Sequence, residues 1–287
     1  MRRNALPGFL IIAALATTGC GKSTQTESRT GTAGAIAAQP PQGLARSALD
    51  NSQFEWIRRD TEHLRIYFPA GSYPAAHQQD LVARAEAARR DNLALLGEEA
   101  FEPVIDVFFI ESRAQMQALV GVPVTGFAER DARAVFLVTN PDWRAFERHE
   151  IMHVLAHHAW GPASGAWVEE GLAQFADGRC GEYTVDDIVH ALAEQRGYVP
   201  MDTLVARFRQ LDDLTAYLEA ASMVGFLYET HGRAAAQAVW QRGADAIPGL
   251  TGETPPAFAE SWWRWVKAKA KPVPADRLEI IRDKGCG

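Results

Sequence analysis

An α+β fold is what the sequence predicts. β-branched and aromatic runs are confined to the first half of the chain, Ala- and Leu-rich segments at helical spacing lie between them, and the second half reads as helix almost throughout. HLRIYFPA at 63–70 alternates as a strand. AAHQQDLVARAEAARRDNLALLG at 75–97 has helical spacing and stops at Gly97, and VIDVFFIES at 104–112 is a dense β-branched and aromatic strand. A short helix is expected near 114–120. TGFAERDARAVFLV at 125–138 then reads as two short strands about a polar turn at 130–132. After TNPD at 139–142, with Asn140 or Asp142 as N-cap, a helix is expected from about Trp143 to Ala159, closed by Gly161 and Pro162. TVDDIVHALAEQRG, MDTLVARF and PAFAESWWRWVKAKA read as further helices. In the last of these Trp262, Trp263 and Trp265 are taken as packing residues, with an amphipathic face for a partner or membrane as the alternative.

The first twenty residues have the layout of an export signal. Arg2 and Arg3 are the positive start, FLIIAALA is an apolar run too short to span a bilayer, and LATTGC closes it. Gly19 before Cys20 resembles a bacterial lipobox, although Thr17 stands where that motif usually has leucine. The resemblance implies a lipid on Cys20 as a membrane anchor, on the periplasmic side of the cell envelope. GCGKST at 19–24 resembles the tail of a phosphate-binding loop, but Ala16 replaces the required first glycine and no strand precedes it. Residues 21–47 have the composition of a flexible tether. In an oxidising compartment Cys180 and Cys286 can pair or remain two separate thiols. A net charge of −7 and a pI near 5.6 leave no basic stripe for phosphates, so nucleic acid is excluded as a partner.

The chemistry concentrates in FERHEIMHVLAHHAWGPASGAWVEEGLAQF at 146–175. His149 and His153, four residues apart, sit about 40° apart around a helix and one turn along it, so both imidazoles reach one ion. His157 continues the spacing but lies a further ~6 Å along the axis, too far for Zn–N bonds of ~2.0–2.1 Å, so a third ligand has to come from another segment. His157 and His158 are read as outer, capping or surface residues. WVEEGLAQF offers Glu169 and Glu170, and helical periodicity does not choose between them. Gly171 and Ala173 remove bulk where this second helix is expected to approach the first.

HExxH at 149–153 followed by WxxEGxAxF at 167–175 resembles the gluzincin metallopeptidases, in particular their peptidase MA-like domains. The resemblance covers roughly residues 63–232. It implies a zincin-like fold, a small mixed sheet on an active-site helix followed by a mainly helical part, divided here as 48–178 and 179–287. It also implies that Glu170, directly before the glycine, completes a Zn²⁺ site with His149 and His153. Tyr217 lies in AYLEAASMVGFLYETHG, similar to the Tyr-x-x-Ala-x-Ser helix found downstream in that family. It is a candidate hydrogen-bond donor to an oxyanion, a packing role being the other reading. Gln174 departs from gluzincins that place a carboxylate four residues after the third ligand.

The expected protein is therefore an exported, lipid-anchored zinc metallohydrolase acting on peptide or protein substrates, with His149, His153 and Glu170 on the metal and Glu150 as general base. A non-catalytic metal-binding envelope lipoprotein that binds a partner is the competing expectation, and a hydrolase of some non-peptide amide is a third.

Overall fold

The computed structural model describes residues 39–285. The export signal, Cys20, Cys286 and the first part of the tether lie outside the described residues. The architecture is mixed α+β. Strands β1 (Trp56–Asp60), β2 (Leu64–Pro69), β3 (Ile105–Ile110), β4 (Gly126–Glu129) and β5 (Ala134–Val138) form one sheet in the order β1-β2-β3-β5-β4. The central β2, β3 and β5 are parallel, and β1 and β4 pair antiparallel at the two edges.

The alternation read in 63–70 is real, yet both faces of β2 are buried. Leu64, Ile66 and Phe68 enter the main core, whereas Tyr67 faces a second cluster formed with Phe108, Phe136, Met116 and Ala48. That second face is covered by α1 (Gly43–Leu49) and α4 (Arg113–Val120). Arg65 stays buried there because it makes two 2.7 Å bonds to Asp106, which offsets the cost of removing both charges from water. Central parallel strands buried on both sides are the usual consequence of layers on each face.

Helix α1 corrects the tether's far end, which was expected to run to residue 47. Ala45 and Ala48 are buried, the Leu44 N–H donates to Glu129 at 2.7 Å, and Arg65 donates to the Gln39 carbonyl at 2.6 Å. Small alanines let a short helix lie flat on the sheet, so the segment needs little apolar content to dock.

Between β2 and β3 run α2 (Tyr73–Ala76) and α3 (Gln78–Leu96), the latter closed by Gly97 at φ 73, a left-handed stop that suits glycine. The next helix, α5 (Glu147–Trp160), starts four residues later than expected. Asn140 does not cap it. Its Oδ1 accepts from the Asp142 N–H and its Nδ2 donates to the Glu111 carbonyl, while residues 140 and 143 form a β-bridge. An asparagine that bonds locally favours a turn over a helix start.

After α5 come α6 (Ala166–Asp177), a hairpin of β6 (Arg179–Cys180) and β7 (Tyr183–Thr184), α7 (Val185–Arg196), α8 (Met201–Arg207), a 3₁₀ turn (Phe208–Gln210), α9 (Asp213–His231), α10 (Arg233–Arg242), α11 (Ile247–Thr251), α12 (Pro255–Lys269) and α13 (Ala275–Lys284). No break separates the expected parts 48–178 and 179–287. One core runs from the sheet through α5, α6 and α9 to α12. Gly171 marks the reason: a Cβ there would lie 2.9 Å from the Ala220 carbonyl oxygen, so its missing side chain lets α6 approach α9, and not α5 as the sequence had implied. Trp262 is buried and donates to Ser222 at 2.8 Å, and Trp263 and Trp265 are half-buried against the core, so α12 packs inward. Cys180 is buried and disulfide-bonded. Among the described residues no helix is long and apolar enough to cross a membrane.

Candidate metal centre

Helix α5 presents His149 and His153 toward α6, which presents Glu170 back. The three facing atoms are His149 Nε2, His153 Nε2 and Glu170 Oε2. They are separated by 3.2 Å between the nitrogens and by 3.3 and 3.4 Å from each nitrogen to the carboxylate oxygen. Donors held ~2.0–2.1 Å from a tetrahedral ion lie about 3.3 Å from one another, so the spacing fits a zinc-sized cation. All three residues are buried, and among the described residues they are the one group of three such side chains close enough to share an ion. Two imidazoles and a carboxylate suit zinc better than harder or softer ions.

Burial and mutual charge act in opposite directions on the groups of this cluster. Burial pushes the Glu170 carboxyl up, but bonds and charge from His149 and His153 outweigh it and hold it far below the usual carboxylate range. Burial pulls His149 down, yet Glu170 and Glu150 together raise it above its ordinary value. Glu150 is itself raised by burial, partly countered by the two histidines.

Glu150 follows His149 on α5, and its carboxyl, within electrostatic reach of His149, His153 and Glu170, also meets edge strand β4. There it meets Gly126, where a Cβ would lie only 2.1 Å from Glu150 Oε1. The glycine is thus what leaves room for the carboxylate. Nothing in the local sequence marks Gly126, because the contact joins a strand to a helix. Glu169 is not part of the converging group. It pairs with Arg130 and lies 3.7 Å from Nδ1 of His153.

The chain matches no protein-family model and no curated protein.

Tyr217 comes from α9, with its ring stacked near His149 at 6.3 Å between centroids. Burial, reinforced by the Glu170 charge, pushes its phenol up to about 12, so it stays protonated. Arg209, in the 3₁₀ turn before α9, donates to the Tyr217 oxygen at 2.9 Å and to Glu170 Oε1 at 2.7 Å. Glu170 therefore shows one oxygen to the histidines and the other to Arg209. Sequence reasoning missed Arg209, which follows no motif and reaches the centre only because α8 and α9 fold back over α6. His157 and His158 stay outside the centre, with Nε2 atoms 2.9 Å from Asp131 Oδ1 and 3.0 Å from the Arg130 carbonyl oxygen. Gln174, one turn past Glu170, is buried and its Nε2 has no protein partner.

Proposed function

We propose that the protein is a zinc-dependent metallohydrolase of gluzincin type that cleaves peptide bonds. The observation that carries this reading is the mutual spacing of 3.2, 3.3 and 3.4 Å among His149 Nε2, His153 Nε2 and Glu170 Oε2, with the Glu150 carboxyl within electrostatic reach of both histidines and outside the donor set. The mixed sheet, with β4 against α5 and α6 crossing it, supports the zincin-like fold. Three protein ligands, rather than four, are the form that leaves a position for chemistry.

Zinc held there would act as a Lewis acid and lower the pKa of a water molecule. Glu150 takes the proton of the attacking water and can return it to the leaving amine, and the upward pull of burial brings its basicity closer to that task. Tyr217 accepts a hydrogen bond from Arg209, so its own O–H is free to donate to the carbonyl oxygen as negative charge develops. Arg209 also fixes the outer oxygen of Glu170, which limits that carboxylate to one orientation. Export and a lipid on Cys20 would place this activity at the envelope.

Glu150→Gln tests the mechanism, since the amide has nearly the same size and accepts no proton. Zinc content and thermal midpoint should stay near wild type, and cleavage of a peptide library should fall by at least ~10²–10⁴-fold. Equal cleavage by both proteins would end the mechanism. Zinc bound by both, with cleavage by neither, would favour the partner-binding lipoprotein.

A further inference from the structure

The turn between β4 and β5, residues 130–133, is tied to the metal-site helices at three points. His157 Nε2 lies 2.9 Å from Asp131 Oδ1, and His158 Nε2 lies 3.0 Å from the Arg130 carbonyl oxygen, so the last turn of α5 holds both residues. The guanidinium of Arg130 in turn pairs with Glu169 on α6. Arg133 closes the turn in the left-handed region at φ 55, with its N–H bonded to the Arg130 carbonyl at 3.1 Å. That conformation is uncommon for a residue with a side chain and persists when its surroundings hold it.

Glu169 then faces a specific atom. His153 turns Nε2 toward Glu170, and Glu169 Oε1 lies 3.7 Å from Nδ1, the other ring nitrogen. To offer a lone pair from Nε2, the ring must carry its proton on Nδ1. A carboxylate beside that proton sets the tautomer and the ring orientation and strengthens the nitrogen as a donor. At 3.7 Å the pair is a charge contact and not a hydrogen bond. The Glu169 side chain is 14% exposed, so the contact is shielded from water, and Arg130 compensates the charge that burial would otherwise penalise.

We propose that Glu169 is the positioning residue of His153, and that Arg130, in a turn braced by His157 and His158, keeps its carboxylate there. Glu169 would not bind the metal; it would set how tightly the metal is held. The inference rests on the zinc reading above, and the competing account is a surface ion pair with no influence on the ion, as most exposed pairs are.

The test is chelator competition for zinc with the full chain, comparing wild type, Glu169→Gln, Arg130→Gln, Arg130→Lys and the Glu169→Gln/Arg130→Gln double variant. Glu169→Gln should weaken zinc binding by ~10–100-fold, the effect typical of losing an outer partner of a ligand histidine. Arg130→Gln should weaken it in the same direction but less, Arg130→Lys should recover most of that loss, and the double variant should be no weaker than Glu169→Gln alone. Thermal midpoints of the zinc-free proteins separate this from general destabilisation, since they should stay close to wild type. Unchanged affinity in Glu169→Gln, or losses that add in the double variant, would overturn the proposal while leaving the zinc site standing. A wild-type chain that binds no zinc would overturn both. Should Glu169→Gln fail to fold, the Arg130 variants decide alone: affinity unchanged in Arg130→Gln overturns the proposal.

Discussion

Replacing Gly126 by alanine should disable the general base without touching a ligand. The added Cβ would lie 2.1 Å from Glu150 Oε1, 2.7 Å from Cδ and 3.0 Å from Cγ. Ordinary contact between such atoms lies at roughly 3.5 Å, so the carboxylate oxygen must retreat by more than 1 Å. Gly126 is not among the positive-φ glycines, so its backbone accepts alanine without strain. The obstructing atoms are the end of a flexible side chain, which can swing aside at little cost in stability. Its new position is the problem, because a ~1 Å misplacement of a reacting group costs on the order of 10²-fold in rate, equivalent to about 2.7 kcal/mol in the barrier. Gly126→Ala should therefore keep its zinc content and thermal midpoint near wild type and lose about 10²-fold in kcat/KM. Peptide cleavage, bound metal and melting would be measured on one preparation. Full activity in the alanine variant would refute the placement of Glu150 as base, and a loss of activity matched by a loss of zinc would show that the effect runs through the ligands.

Tyr217→Phe should lower kcat by roughly 10²–10³-fold with little change in KM, as the loss of an oxyanion donor does; a change in KM alone would leave Tyr217 as packing. Glu219 is buried on α9 with one oxygen accepting the Val199 N–H at 2.8 Å and the other without a protein partner, and burial pushes its pKa up to about 7. Between its ordinary value of 4.5 and about 7 the folded state holds a proton that the unfolded chain releases, so stability falls as pH rises through that window. Glu219→Gln should flatten this slope and exceed wild type at alkaline pH by a margin of order 3 kcal/mol. Denaturant titrations of both proteins at about pH 5 and 8 would show it, and parallel pH curves would refute it. Cys20→Ser should release the protein from membranes or block its processing; fractionation that is unchanged would remove the lipid anchor.

Local periodicity and stop signals made much of the scaffold legible. α3 ends at Gly97 because a left-handed residue ends a helix wherever the rest of the chain lies. Likewise His149 and His153 share a face of α5 by helical geometry alone. The dense strand at 104–112 needed no partner to be read. Three things waited on the tertiary structure. The helical period could not choose between Glu169 and Glu170, whose side chains leave α6 about 100° apart; the choice depends on how that helix crosses α5, which its close contact with α9 at Gly171 helps to set. Gly126 and Arg209 reach the centre from a strand and a turn remote in the chain, and no local pattern encodes a contact of that kind. The tether's true end was hidden because Ala45 and Ala48 carry little hydrophobicity of their own and become buried only where the face of β2, β3 and β5 receives them. The sequence by itself therefore determined most of the elements and the histidine pair that shares one face of α5. Which glutamate joins that pair, the room for the Glu150 carboxyl and the contacts of Arg130 and Glu169 beside His153 were decided by packing, because each depends on distances between segments that only the folded chain brings together.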